Sequence, residues 1–366
     1  MATSVTVGVE EEFLLVDPVT GAPVPKNAEV AQTAEEGGVD LQLELTSCQV
    51  ETSTDVHSDT AALLKELAQL RRDVAVCAER NDARLLAVAI PPTVPERFPV
   101  TDTPRYQRIA REFGMLASEQ GLSGCHVHVG VPDREVAVQV SNHLRPWLPV
   151  CLALTANSSI YHGAETGYAS WRSILWRRWP SAGPPPYFDS LDDYEAMVEM
   201  LLSSGNILDR KMVYWDIRPS DSFPTVEVRV SDVPATIAES ALLATLVQAA
   251  AMTALESIEK GERAPQVPAE VLRAAYWNAA RSGLDGNGLD PVTRRVAPVR
   301  ALIAGLRRHT EAALDELGAR SFVDETIDSV LRRGNGARRQ TLALRARGDV
   351  ADVINELATA TLEGCS

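Results

Sequence analysis

Cys125-His126-Val127-His128-Val129-Gly130-Val131 reads as a strand with two different faces. Successive side chains of a β-strand point to opposite sides. Val127, Val129 and Val131 therefore share the apolar side, with Cys125, and the two imidazoles share the other. The same division recurs along the chain. In Gly8-Val9-Glu10-Glu11-Glu12-Phe13, Glu10 and Glu12 point one way, roughly 7 Å apart, and Val9, Glu11 and Phe13 the other. Gln49 and Glu51 share a face around Val50. Glu227 and Arg229 stand opposite Val226, Val228 and Val230, and Trp215-Asp216-Ile217-Arg218 sets Asp216 beside Arg218. Leu41-Gln42-Leu43-Glu44-Leu45 alternates too.

Between the strands lie one-faced apolar stripes, the signature of amphipathic helices. Asp59 to Glu79 carries Leu63, Leu67, Leu70, Val74 and Cys77; Pro104 to Glu119 carries Tyr106, Ile109, Phe113 and Leu116. The longest stripe spans Ala235 to Lys260, with Pro234 suited to its entrance and Gly261 to its exit. Asp324 to Leu362 reads as a helical tail broken around Arg333-Gly334-Asn335-Gly336. Lys260 to Pro268 reads as a loop inside one unit. Strands and helices do not alternate strictly, and no glycine-rich turn follows the first strand. That disfavours a doubly wound parallel sheet. The expectation is α+β, an antiparallel sheet with helices packed on its outer face. Residues 1–366 are expected to form a single catalytic domain whose part from about 290 onward is helical.

Lys and Arg total 35 against 50 Asp and Glu, a net charge of −15. Such a body repels phosphate backbones, so nucleic acid is not an expected partner. An anionic substrate would need positive charge supplied locally. No apolar run approaches the ~18 residues of a membrane helix, and Met1 to Glu12 lacks the pattern of a signal peptide. Five scattered cysteines without C-x-x-C suit a reducing cytoplasm.

Any one of these strand faces reads on its own as a solvated surface. Solvated faces, however, carry Lys, Thr and Ser, whereas these carry Glu, His and Arg and no lysine. In one sheet they make a polar floor. Clustered carboxylates repel one another unless cations offset them. Hard divalent cations prefer oxygen ligands, and two imidazoles together would favour zinc or iron. Arginine beside them grips carboxylate or phosphate with two parallel hydrogen bonds. The combination suits a nucleoside triphosphate and an acidic second substrate. G-x-x-x-x-G-K-[ST] is absent from the sequence, so metals rather than a backbone cradle would hold the phosphates.

Six blocks carry a family resemblance. They are Gly8 to Phe13, Gly124 to Gly130, Gly167-Tyr168-Ala169-Ser170-x-Arg172, Trp215-Asp216-Ile217-Arg218-Pro219-Ser220, Thr225 to Asp232, and Tyr276 to Gly286. Together they resemble the YbdK-like carboxylate–amine ligases, grouped with the second type of glutamate–cysteine ligase in the glutamine-synthetase-like superfamily. The resemblance runs from Gly8 to about Gln340. It implies an antiparallel sheet bent into a funnel-shaped active site, and a cytoplasmic homodimer. It implies ATP with Mg²⁺ or Mn²⁺ as cofactors and small-molecule carboxylate and amine substrates, glutamate and cysteine by family name. It implies amide formation through an acyl phosphate, releasing ADP and phosphate. By motif, Glu10, Glu12, Glu51, His126 and Glu227 resemble the metal-binding set. Arg229 resembles the residue that steadies the transferred phosphoryl group, with Glu227 and Arg218 in the same catalytic group. Gln49, His128, Arg172 and Arg229 are expected around the nucleotide.

Two other readings compete. H-x-H on a strand also begins the zinc site of some amidohydrolase barrels, but the pair lies mid-chain and His143, His162 and His309 follow it outside any motif. A non-catalytic nucleotide or metal binder would be expected to have lost a carboxylate of the metal motif, and each is present. Gly163 to Pro186, with Trp171, Trp176 and Trp179, is a lid candidate, or else a long loop packed by its tryptophans. Asp285 to Asp290 is expected to be a turn rather than a calcium loop, since Leu289 stands where an Asp or Asn is wanted. Cys125 is expected on the apolar face, and His57, His143, His162 and His309 as structural or surface groups. Arg338 and Arg339 are expected on a solvated helix. Replacing Glu11 by Gln is expected to do little.

Overall fold

The computed structural model describes residues 5–365; Met1–Ser4, where the stretch read for a leader begins, and Ser366 lie outside the described residues. The strands are β1 Val7–Val16, β2 Gln42–Leu43, β3 Gln49–Ser53, β4 Arg84–Leu86, β5 Gly124–Gly130, β6 Ile160–Tyr161, β7 Ala164–Glu165, β8 Ile217–Pro219 and β9 Thr225–Asp232, with a small hairpin further on at Asn287–Leu289 and Val296–Pro298. The main sheet runs β2-β3-β1-β5-β9-β8, with β4 on the far half of β1. Every pairing is antiparallel. The sheet is open, and the α+β arrangement expected from the sequence, an antiparallel sheet with helices packed on its outer face, is the one observed.

Register decides what meets on the floor. Glu12 stands opposite Glu51 and Glu10 opposite His126. His128 and Arg218 both stand opposite Glu227. A bulge between Cys125 and Val127 shifts the β5–β9 pairing and lets the floor curve. On the reverse face Val7, Val9, Val127, Val129, Val226 and Val228 pack, with the helix Ile237–Glu259, into the largest apolar cluster. Cys125 is fully buried there, as expected.

The polar face of β1 ends at Glu12. Leu14 and Val16 continue that face as apolar groups under Leu344, Val353, Ile354 and Leu357 of the C-terminal helices Gly336–Arg347 and Val350–Thr361. The tail thus closes one end of the floor.

The helix Ile237–Glu259 is long and apolar enough to span a membrane by composition, contrary to the sequence expectation, but two-thirds of that apolar window (67%) is buried inside the protein. Its start is Thr236, not Pro234. Thr236 Oγ1 accepts from the Glu239 amide (3.3 Å), and Glu239 Oε2 accepts from the Thr236 amide (3.4 Å). Glu239 also takes both Nη atoms of Arg339 (2.7 and 3.1 Å). Arg339 is therefore buried in an ion pair, not on a solvated helix. Arg338 keeps the exposed role, 3.4 Å from Asp285.

Other boundaries move for identifiable reasons. The Pro104–Glu119 stripe splits into Pro104–Phe113 and Met115–Ser118, because Gly114 turns the chain at φ 54°. The tail helix begins at Arg320, breaks at Gly334 as expected, and breaks again at Gly348. Only Gln42–Leu43 of the Leu41–Leu45 alternation pairs as strand. His57 is half-buried and bonded to Glu66. Of Asp285–Asp290, expected to be a turn, only Asp285 and Gly286 bend; Asn287–Leu289 is the first strand of the small hairpin.

Glu11 departs most from expectation. Its side chain faces away from the floor, as its register requires, and is fully buried against Arg71, with Nη2–Oε1 at 2.6 Å and Nε–Oε2 at 3.0 Å. Ser240 Oγ adds a third donor at 2.6 Å. Arg71 also donates to the carbonyls of Pro234, Ala235 and Thr361. Glu11 is thus a structural ion pair joining sheet, helix and C-terminus, and replacing it cannot be silent.

Candidate active site

The floor opens into a cleft of about 510 Å³, and every residue of the expected metal, nucleotide and catalytic sets lines it: Glu10, Glu12, Gln49, Glu51, His126, His128, Arg172, Arg218, Glu227 and Arg229. His126 Nδ1 lies 3.1 Å from Glu10 and its Nε2 3.6 Å from Glu12. His128 Nε2 lies 3.5 Å from Glu10 and 3.9 Å from Glu227. Arg218 Nε donates to Glu227 Oε2 at 2.7 Å, and Arg229 Nη1 donates to Glu227 Oε1. Gln49 sits at the edge, its amide nitrogen 2.5 Å from Ser123 Oγ.

Charge divides the cleft. Burial alone would raise Glu227, but Arg218 and Arg229 outweigh it and hold the carboxyl well below its ordinary range. Glu10 is likewise lowered: burial raises it, but the facing imidazoles of His126 and His128 outweigh that. Burial lowers His126, helped by Arg229. His128 is raised, as Glu10 and Glu227 outweigh its burial. Toward β2 and β3 the balance reverses. Burial and then the neighbouring Glu12 push Glu44 up to about 8, and burial with Glu44, Glu10 and Glu12 raises Glu51 well above the ordinary value. Negative charge is in excess on that side.

Among the described residues, three sets of donor atoms lie within 4.8 Å of one another: Glu10, Glu51 and His126; Glu10, His128 and Glu227; and Glu12, Glu44 and Glu51. None holds more than one imidazole, which suits a hard divalent cation and counts against the two-histidine zinc pattern. The buried Nε2 atoms of His126 and His128 have no hydrogen-bond partner. Unpartnered imidazole nitrogens beside surplus carboxylates fit Mg²⁺ or Mn²⁺.

Glu44 was missed as a site residue. Its signal was the Leu41–Leu45 alternation, which puts Gln42 and Glu44 opposite the leucines. Asp216 goes the other way. It precedes β8, lies buried off the cleft, and burial pushes it up to about 6 against the pull of Arg177 and Arg172. The lid candidate is a packed wall. Ser170 caps the helix Trp171–Trp176, and Trp179 is buried 5.2 Å from Phe113 and 5.6 Å from Tyr214. Trp176 lies 4.8 Å from Tyr214.

A model of the glutamate-cysteine ligase family 2 matches residues 6–356. The chain belongs to that family. A relative named "Putative glutamate–cysteine ligase 2-1", from Nocardia farcinica, is 66% identical over 99% of this chain and 94% of its own. "Putative glutamate–cysteine ligase 2" of Salinispora arenicola is 45% identical over 98% of this chain and 95% of its own. Among solved structures, a glutamate–cysteine ligase of Francisella tularensis in complex with AMP is similar with a TM-score of 0.70 at 13% identity, covering 99% of this chain and 89% of that one. A bifunctional glutathione synthetase of Pasteurella multocida gives 0.66 at 13% identity, covering 99% and 52%. At that identity the likeness speaks for the fold. The family supports a carboxylate–amine ligase acting on small molecules.

Proposed function

We propose that this glutamate-cysteine ligase family 2 member uses ATP to join a carboxylate to an amine, with glutamate and cysteine as the leading pair. One observation carries the reading: carboxylate-rich donor sets and two strand-borne arginines share one face of one sheet. The relatives' names support the substrate pair, and the AMP complex of the Francisella ligase supports a nucleotide.

In this reading a carboxylate oxygen of the acid attacks the γ-phosphorus of ATP. The bond to ADP breaks, and an acyl phosphate forms. The amine nitrogen then attacks the acyl carbon, loses a proton, and phosphate leaves. Glu10, Glu12, Glu44, Glu51, His126, His128 and Glu227 would hold the divalent ions, which offset phosphate charge. Arg229, tethered through Glu227, meets the phosphoryl oxygens as their charge develops. Arg218 fixes Glu227 from its other side. Trp176 and Trp179 keep the wall of the cleft apolar, which limits hydrolysis of the acyl phosphate. The chain acts as one catalytic domain, a homodimer of the cytoplasm; unpaired thiols at Cys48, Cys77, Cys125, Cys151 and Cys365 support that compartment.

ADP release is the test. Purified protein with ATP, Mg²⁺ or Mn²⁺, glutamate and cysteine should release ADP and yield the amide by mass, and chelation should stop it. Full turnover after exhaustive chelation, or no ADP from a broad acid-by-amine panel, overturns the proposal.

A further inference from the structure

The helix Ala269–Ser282 turns Leu272, Ala275, Tyr276, Ala279 and Ala280 into the core. Its opposite face is Glu270, Ala274, Trp277 and Arg281, all exposed, with Trp277 at 45%. Steps of four, three and four residues hold these side chains on one stripe, and that spacing is the seam of paired helices. Among the described residues nothing covers the stripe. Trp277 stands edge-on to Tyr168, with 6.4 Å between ring centres. Arg281 donates to the Gly167 carbonyl, lies over the Tyr168 ring at 5.3 Å and, among the described residues, has no acidic partner. An exposed tryptophan beside an uncompensated arginine is the composition of an interface rather than of a solvated helix.

We propose that two copies of the chain pair along this stripe, each helix lying antiparallel to its counterpart about a two-fold axis that passes between Ala275 and Tyr276. Glu270 of one copy then stands level with the partner's Arg281, and Trp277 with the partner's Ala274. The stripe is complementary to itself in charge, acid against base, and in size, indole against methyl. A two-fold interface requires that property of a single surface. The inference names the face of the homodimer put forward above; it rests on that part of the reading and not on the ligase chemistry.

Charge favours a second copy here. A body of −15 repels its own kind over most of its surface. The exposed charges on this face are one acid, Glu270, and two bases, Arg273 and Arg281, so it escapes that repulsion. Within one copy Glu270 pairs with Arg273. An exposed pair of that kind is worth little and yields readily to a partner across an interface. Two helices alone fall short of the roughly 800 Å² per partner that a stable dimer buries. The bordering elements add exposed apolar side chains: Val292 and Val296 on the small hairpin packed against this helix, and Leu342 one turn beyond Arg338, which reaches Asp285 at 3.4 Å. The helix also carries part of the cleft wall. The Ala280 carbonyl accepts from the Ala169 and Ser170 amides (2.8 and 2.9 Å), immediately before Arg172. Pairing therefore braces that wall from outside.

Sedimentation velocity on the full chain reads the pairing. Wild type should sediment as a dimer that separates on dilution. Trp277→Glu should weaken pairing about tenfold or more, since buried tryptophans dominate such interfaces. Arg281→Glu and Glu270→Arg should each weaken it about tenfold, by setting like charges level with one another. The double variant Glu270→Arg with Arg281→Glu should restore pairing to within about threefold of wild type. The five native cysteines are buried, so the thiol of Ala274→Cys is the accessible one, and a short bismaleimide should link two copies through it. Every substituted side chain is exposed, and circular dichroism confirms that each variant is folded. A wild type that stays monomeric at every concentration overturns the face and the homodimer together, and the chemistry still stands or falls by ADP release. A dimer that survives Trp277→Glu and Arg281→Glu overturns the face alone. A double variant no better than its single parents, or Ala274→Cys copies that do not link, overturns the antiparallel pairing.

Discussion

Glu10, Glu11 and Glu12 are three identical side chains in a row, and the sheet gives them two different tasks. Glu11, on the underside, is closed off: Arg71 and Ser240 satisfy it completely, and nothing remains for a ligand. Glu10 and Glu12, on the floor, share the one imidazole of His126, at 3.1 and 3.6 Å, and are crowded by other carboxylates. The contrast teaches where function resides in such a strand. A charge whose demands the protein meets itself supports the fold, and a charge left in surplus awaits a ligand.

The largest effect should come from breaking the closed side. Arg71→Met strands Glu11 in the core, and removing one partner of a buried ion pair costs on the order of 3–5 kcal/mol. Chemical denaturation should show the loss, or the protein should fail to accumulate. An unchanged midpoint would mean that water reaches Glu11 and that the underside is not closed. On the floor, Glu12→Gln should do the reverse. Turnover should fall about a hundredfold, while the melting midpoint holds or rises, because one carboxylate of a repelling set is gone. A destabilised Glu12→Gln protein would place Glu12 with Glu11 and erase the distinction.

Arg229→Lys comes next. An ammonium cannot reproduce the planar fork that meets Glu227 and an oxyanion together, so turnover should fall at least about tenfold. Melting should change little in the same sample. Near-normal turnover with a lowered midpoint would reduce the Arg229–Glu227 pair to a strand salt bridge.

Much of this layout was legible in the sequence because a strand has a period of two. His126 and His128, Glu10 and Glu12, and Glu227 and Arg229 are pairs with one residue between them, so the common face of each pair followed without knowledge of the fold. What stayed hidden depends on contacts between distant segments. Nothing around Glu11 names Arg71, sixty residues away, as its partner. Glu239 and Arg339 are a hundred apart. Asp216 obeys the alternation and yet precedes its strand, so its side chain leaves the floor. Glu44 was readable in principle, but only two residues around it pair as strand, and a segment that short gives alternation little weight.

The smallest effect, and the sharpest for the comparison, is on the pH dependence of the metal-free protein. Glu44 is half-buried beside Glu12 and Glu51, and its carboxyl is pushed up to about 8 by burial and by Glu12. In the unfolded chain it ionises near its ordinary value of 4.5. The folded state therefore binds a proton that the unfolded state has already lost, and stability falls as pH rises through the window between those two values. Below that window the difference vanishes. With EDTA present, the melting midpoint of wild type should decline from pH 5 to pH 8 more steeply than that of Glu44→Gln. Adding Mg²⁺ or Mn²⁺ should remove most of the difference, since a bound cation offsets the ionised carboxylate. Other groups titrate over the same range, so the informative quantity is the gap between the two proteins rather than either slope alone. Equal slopes in EDTA would mean that the carboxylates toward β2 are already compensated by the protein, as Glu11 is, and that the surplus charge ascribed to this side of the floor does not exist.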